Sequence, residues 1–166
     1  MRESRVRFIR QQGFVTQEPT EALYSALMLQ PRIIGAVAAI GIITQSPLLF
    51  LTLAAVLWWS ALVPARNPFD ALYNQAVARP RGLPPLSAAP APRRFAIGLA
   101  GTFAFAIGLA LLAGAAITAW VVEGLLAIAV LQVVFRDFCA GSNLYYSLQR
   151  GGLMAKPSHS TGATRR

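Results

Sequence analysis

The stretch that decides the fold is residues 95–135, which reads FAIGLAGTFAFAIGLALLAGAAITAWVVEGLLAIAVLQVVF. Its roughly 41 residues carry one charged side chain, that of Glu123. A helix of about 20 apolar residues is enough to cross the roughly 30 Å hydrocarbon core of a bilayer. The block therefore predicts two transmembrane helices, with a turn at about residues 113–118, where Gly114 weakens helix continuity.

A second apolar block lies earlier in the chain and has the same arrangement. Residues 33–44 are uncharged, the polar segment 45–47 (Gln-Ser-Pro) follows, and residues 48–63 are apolar again. The first arm is shorter than a full span, so we expect it to include flanking residues. Together the two blocks predict four transmembrane helices in two hairpins, at residues 31–64 and 93–136.

Composition also indicates a membrane protein. Hydrophobic residues make up 55% of the chain and charged residues only 13%, which excludes an ordinary soluble domain. A net charge of +9 is compatible with nucleic-acid binding in general. Here the basic residues flank apolar runs instead of forming a polar face, so nucleic acid is excluded as a partner.

The basic residues predict the orientation in the membrane. Five lie in residues 1–32, five in residues 66–94 and five after Val134, and neither hairpin tip has any. Lys and Arg are retained on the cytoplasmic side, so both termini and the central loop are predicted to be cytoplasmic, in a bacterial inner membrane. Such segments are also expected to attract anionic lipids.

A similar segment follows each hairpin, and the first occupies residues 65–92. It begins with an amphipathic helix in which Asn67 caps the start and Asp70 faces the positive end of the helix dipole. Phe69 and Tyr73 share its apolar face. The segment continues as a Pro-rich cytoplasmic linker.

The second such segment is residues 137–152, which follow Arg136 and include Tyr145. The repeated order of hairpin and surface segment predicts two parallel structural repeats. The predicted fold class is therefore all-α integral membrane, with four transmembrane helices as two hairpin repeats, each followed by a cytoplasmic interfacial helix.

The terminal regions lie outside these repeats. Residues 1–30 are predicted to form a cytoplasmic basic arm with a short amphipathic helix that leads into Pro31. Residues 153–166 are predicted to be a basic polar tail.

Residue content excludes several kinds of site. The sequence has one cysteine, Cys139, and one histidine, His159. A zinc site of Cys and His ligands, a histidine-held haem and an intrachain disulfide are therefore all excluded. We expect no cofactor, no metal and no catalytic centre.

Three polar residues remain as functional candidates. Glu123 is either a plain interfacial carboxylate or a functional acid inside the membrane. Gln132 is either an interhelical hydrogen-bond partner or a transport ligand. Cys139 is either an inert structural cysteine or a thiol made reactive by the nearby cation of Arg136.

Small residues recur at every fourth position in the third predicted span. Such rows let helix backbones approach closely in lipid. They predict packing within the four-helix bundle or, alternatively, a docking face for another protein. The row consists of Ala96, Ala100, Ala104 and Gly108.

Three short motifs resemble one bacterial family. They are Asn-Pro-Phe at residues 67–69, Arg94-Phe95, and residues 138–142, Phe-Cys-Ala-Gly-Ser, followed by Tyr145. Over about residues 28–150 the chain resembles a four-span integral membrane family catalogued as a domain of unknown function, with a Phe-Cys-x-Gly-Cys-x-x-Tyr-like terminal motif. The resemblance implies a redox-active cysteine pair, whose second position is here Ser142.

Three functional hypotheses follow. The favoured one is a non-catalytic accessory or structural subunit of a larger membrane complex, of respiratory or photosynthetic type for example, whose partners are other membrane subunits. The first alternative is a small transporter or channel that uses Glu123 and Gln132. The second is a thiol-dependent membrane redox protein that uses Cys139.

Overall fold

The structure is a computed structural model, which describes residues 1–14 and 20–153. These residues form seven α-helices and no strand. Short non-α turns continue α4 and link α3 to it, at Pro64–Arg66, Asn74–Ala78 and Arg79–Arg81. The α-helices are α1 (Glu3–Gln11), α2 (Glu21–Thr44), α3 (Pro47–Leu62), α4 (Pro68–Tyr73), α5 (Ala91–Leu112), α6 (Ala116–Arg136) and α7 (Ala140–Arg150).

Three helices, α2, α5 and α6, are long and apolar enough to cross a membrane. Their lengths of 24, 22 and 21 residues correspond to about 30–36 Å at 1.5 Å per residue. The fourth apolar helix, α3, has 16 residues and spans roughly 24 Å. The all-helical, membrane-protein character predicted from the sequence is therefore confirmed.

The course of α2 differs from the expectation of a surface helix that ends at Pro31. One helix runs without interruption from Glu21 to Thr44, and Pro31 lies inside it. The hydroxyl of Thr20 caps its start by accepting a hydrogen bond from the Leu23 amide. Buried side chains lie on both sides of the proline, and this tertiary packing outweighs the lost backbone hydrogen bond.

Helices α3 and α5 pack against each other in antiparallel fashion through small residues of α5. A Cβ atom on Gly101 would come within 2.8 Å of the Trp58 indole, and one on Gly108 within 2.7 Å of the Leu51 side chain. Ala104, between these glycines, is completely buried. Part of the small-residue row therefore packs within the chain.

The bundle has two different ends. At one end the short turns after α2 and α5 contain Gln45 and Gly114, both with positive φ. At the other end, which we call the α1 end, α1 and α4 cover the first turns of α2, and α7 packs against α5. Phe8 and Ile9 of α1 are completely buried there.

The segment after α3 also differs from the expectation of a surface-lying amphipathic helix. Phe69 and Tyr73 are 8% and 4% exposed, and the Tyr73 hydroxyl donates a hydrogen bond to the Ala22 carbonyl of α2. Leu72, between these two residues in the same helix, is exposed. Helix α4 is thus packed onto the bundle by its own apolar residues. The basic tail, from residue 154 onward, lies outside the described residues.

Close packing at Gly101 generates the first prediction. We expect Gly101→Ala to lower the stability of the bundle by about 1–3 kcal/mol, because the added methyl group overlaps the Trp58 ring. The measurement is the thermal unfolding midpoint in detergent, followed by fluorescence-detected gel filtration. Gly124→Ala on α6 is the matched control, since its Cβ would meet nothing within 4 Å. Equal midpoints for the two variants would contradict the packing described here.

Candidate functional site at the α1 end

A buried ion pair joins α5 to α4. Arg93, in the first turn of α5, is 3% exposed. Its two terminal nitrogens donate to the two carboxylate oxygens of Asp70, at 2.6 and 3.2 Å. The Asn67 side chain donates to the same carboxylate at 3.0 Å and accepts from the Phe69 amide. Asn67 is therefore the predicted cap, and Asp70 serves mainly as the partner of a buried cation.

The adjacent Arg94 serves a different element. Its Nε donates to the Ala61 carbonyl at 2.8 Å, which satisfies a backbone group in the last turn of α3. The two consecutive arginines thus fix the start of α5 to both α4 and the end of α3.

Gln30 of α2 completes this network and leaves one polar atom without a partner. Its Oε1 accepts from an Arg93 terminal nitrogen at 2.9 Å. Because the guanidinium can only donate, this contact fixes the amide orientation and turns Nε2 away from Arg93. Nε2 is buried and has no hydrogen-bond partner within the described part of the chain. Orphaned buried donors cost free energy and are uncommon.

A cavity of about 110 Å³ lies beside Gln30, between α2, α5, α6 and the start of α7. It is open on one side, and its walls are mostly apolar. Ala96 and Ala100 of the small-residue row line it, as do Gln30, Arg93 and Cys139. The small residues on this face of α5 therefore create space as well as allow close helix packing.

Cys139 lies at the start of α7 and is 8% exposed. The hydroxyl of Ser142 is 3.3 Å from its sulfur. The backbone of Cys139 is held by two side chains, since its amide donates to Gln11 of α1 at 3.2 Å and its carbonyl accepts from Asn143 at 2.9 Å. The sequence neighbours 138 and 140 are both exposed, so the cysteine lies at the edge of the packed region.

The loop between α6 and α7 is fixed by Asp137, which adopts a left-handed conformation with φ of 53°. Its carboxylate accepts hydrogen bonds from the hydroxyls of Tyr24 and Ser4. Arg136 before it is exposed and makes no ion pair within the described residues. Tyr145 of α7 packs its ring 5.8 Å from that of Phe95.

Tyr146 connects α7 to α1. Its hydroxyl donates to the Arg10 carbonyl at 3.4 Å. Burial raises the pKa of this phenol above its ordinary value, so it remains a neutral donor over the physiological pH range.

Glu123 lies far from this site, towards the opposite end of the bundle. It is 1% exposed, and both of its oxygens lie 3.2 Å from Nε2 of Gln45. Gln132 is nine residues further along α6, roughly 13 Å away by helix rise, and is partly exposed beside Arg136 and Phe138. The two candidate transport residues are therefore not brought together.

The described residues contain no group of three or more His, Cys, Asp or Glu side chains that could hold a metal ion. The groups that border the apolar cavity at the α1 end include a thiol, a buried ion pair and an unpaired amide donor.

Comparison with known families gives one match. A family model described as Domain of unknown function (DUF4395) matches residues 26–150. The chain belongs to this family. The match covers Gln30, Asp70, Arg93 and Cys139, and it confirms the family resemblance carried by the motifs at residues 67–69 and 138–142. Neither the curated proteins nor the solved structures gave a match.

The buried ion pair generates the second prediction. We expect Asp70→Asn to destabilise the protein by about 3–5 kcal/mol, because it leaves the Arg93 guanidinium buried without its counter-charge. The double variant Asp70→Leu with Arg93→Met should recover much of this loss. Denaturant unfolding in detergent measures both.

An exposed ion pair provides the control for this prediction. Arg7 and Glu3 of α1 lie 3.8 Å apart with side chains 68% and 92% exposed. Arg7→Ala is expected to change the stability by less than about 1 kcal/mol. A similar cost for Arg7→Ala and Asp70→Asn would show that burial of Arg93 does not determine its contribution.

Proposed function

We propose that this DUF4395 protein is an accessory subunit of a bacterial membrane complex and engages a partner through the thiol of Cys139. The observation that carries the proposal is the placement of Cys139: its sulfur lies 3.3 Å from the Ser142 hydroxyl at the start of α7, on the border of the cavity.

The chemistry of such a site requires a second chain, because this sequence has one cysteine. The Cys139 thiolate would attack a disulfide of the partner. One S–S bond forms, the other breaks, and the released partner sulfur takes up a proton. A thiol of the partner then resolves the mixed disulfide. The chain alone cannot complete this cycle, which is consistent with an accessory subunit that is not itself an enzyme.

An exposed apolar helix face supports association with other membrane subunits. Only 17% of the apolar window of α6 is buried within the chain, compared with 39% for α2 and 33% for α5. Exposed side chains along this face are Ile117, Val121, Leu125, Ile128 and Phe135. We propose that a partner subunit covers part of this face and that anionic lipids contact the basic segments.

The transporter alternative receives less support. It required Glu123 and Gln132 to line one path, and they lie on different parts of α6 with different surroundings. Both carboxylate oxygens of Glu123 are instead within hydrogen-bond distance of Nε2 of Gln45. The contact between Gln45 and Glu123 joins the first hairpin to the second near their tips, and this structural role accounts for the pair without transport.

We further propose four spans, with both termini cytoplasmic, in a bacterial inner membrane. Although α3 is short, it lies antiparallel to α5 over the whole distance from Gly98 to Gly108, so the two cross the same layer. Its length of roughly 24 Å is within what bilayer thinning accommodates. The basic residues at the α1 end support the cytoplasmic assignment.

The contacts between the hairpins support a repeat related by a two-fold axis along the membrane normal. Such an axis exchanges α2 with α5 and α3 with α6. The contact of α5 with α3 then corresponds to the contact of α2 with α6, and both are present. Each uses a glycine, Gly101 against Trp58 and Gly35 against Val130. Helices α4 and α7 are equivalent under the same operation.

The orientation is testable with single cysteines in a Cys139→Ser background. Ala115→Cys, in the exposed turn after α5, should react with a membrane-impermeant maleimide on intact spheroplasts. Ser87→Cys, in the exposed linker before α5, should react only after permeabilisation. Labelling at residue 87 in intact spheroplasts, or protection of residue 115, would contradict the proposed topology.

The thiol proposal predicts a covalent adduct. Cells that express the tagged chain are quenched with N-ethylmaleimide, and the membrane fraction is separated on a non-reducing gel. We expect a defined band of higher mass that is lost on reduction and lost in Cys139→Ser. Ser142→Cys should deplete this band, because the introduced thiol, next to Cys139, attacks the mixed disulfide, forms an S–S bond with Cys139 and releases the partner sulfur, which takes up a proton.

The matched control is a cysteine elsewhere on α7. Ser147 is exposed on this helix, and Ser147→Cys in the Cys139→Ser background presents a more accessible thiol. The proposal requires the adduct at position 139 and not at position 147. Equal adducts at both positions, or none at position 139, would refute it.

A further inference from the structure

The unpaired Gln30 amide and the adjacent cavity point to a ligand. We propose that the cavity between α2, α5 and α6 binds the carbonyl group of an apolar, membrane-dissolved molecule, which accepts a hydrogen bond from Nε2 of Gln30. The proposal concerns binding alone and does not depend on the reactivity of Cys139.

The first step is the identity of the free group. Arg93 has only donors, so Oε1 of Gln30 must face it and Nε2 must face away. Gln30 is 3% exposed, and the described protein supplies Nε2 with no acceptor. The complementary ligand atom is therefore a hydrogen-bond acceptor.

The second step is the charge of the acceptor. Arg93, the nearest cation, is already paired with both oxygens of Asp70. The group formed by Arg93, Asp70 and Gln30 is neutral overall, so it offers no net charge to an anion. A carboxylate or phosphate would lose its hydration without gaining a counter-charge. A ketone, quinone or ester carbonyl is neutral, and the hydrogen bond from Nε2 compensates for its smaller desolvation cost.

The third step is the shape and polarity of the walls. Leu27, Ile34, Ile97, Phe103, Leu126 and Val130 line the cavity. Its volume of about 110 Å³ is suited to one small ring or a short acyl segment, and its open side allows a longer tail to leave. Two sources share this chemistry: the ring carbonyl of a membrane quinone and the ester carbonyl of a phospholipid.

The experiment is native mass spectrometry of the full chain in dodecyl maltoside, a detergent without a carbonyl group. Decylubiquinone is added in one arm and phosphatidylethanolamine in the other. We expect a one-to-one adduct with at least one probe. An adduct with decylubiquinone alone assigns the site to a quinone, and one with the phospholipid alone assigns it to an ester.

Two variants test the site independently. Gln30→Glu keeps an oxygen for Arg93 but replaces the Nε2 donor by an acceptor, and it should weaken the adduct about tenfold. Ala100→Leu fills part of the cavity while Gln30 keeps its amide, and it should have a similar effect. Ala106→Leu, at an exposed position of the same helix, is the control and should bind as the parent does.

Two results would overturn the proposal. The first is the absence of a stoichiometric adduct with either probe, which would leave only water at the Gln30 amide. The second is an adduct that Ala100→Leu and Ala106→Leu weaken equally, because the probe would then be held on the lipid-facing surface. Thermal midpoints of all variants, measured in the same detergent, identify any that fail to fold.

Discussion

The arrangement at the α1 end depends on the burial of one cation. Arg93 is almost fully removed from solvent, and a guanidinium in such a place requires a carboxylate and further acceptors. Asp70 and Gln30 supply them from two other helices. This requirement holds α4 against the bundle, joins α2 to α5, and leaves Nε2 of Gln30 without a partner beside the cavity. Because both charges have to be desolvated, such a buried pair adds little net stability, although removal of one partner alone is costly.

The bundle itself is held by a different kind of force. In lipid there is little hydrophobic drive between helices, so close contact has to come from small residues. Gly101 and Gly108 provide it between α5 and α3, and Gly35 between α2 and α6. Among the described residues, side-chain hydrogen bonds between the long helices lie at the two ends, through Arg93 at one and through Gln45 and Glu123 at the other. Close packing at the glycines sets the distances between the helices, and the hydrogen bonds at the two ends set their relative positions along the helix axes.

Much of the helical layout was predictable, because a long apolar run with one acid admits few interpretations. The residue patterns predicted four spans, of which three correspond to helices long and apolar enough to cross a membrane, and they also predicted the Asn67 cap and the family. The partners of Arg93 could not be predicted from the sequence, because a basic residue beside an apolar run has the same pattern whether it faces water or a carboxylate. Pro31 was misleading for a related reason: local propensity indicates a helix end there, and only tertiary packing keeps α2 continuous. The cavity depends on which faces of three helices meet, which no single segment encodes.

The contact between Ser4 and Asp137 joins residues 133 positions apart. During synthesis helix α1 leaves the ribosome long before Asp137, which accepts the hydrogen bond from Ser4, has been made. The Ser4 hydroxyl therefore lacks this acceptor until residue 137 has been made, whereas Phe8 can already pack against Tyr24 of α2. The same holds for the Gln11 side chain, which accepts from the Cys139 amide and so links the start of the chain to a residue made 128 positions later.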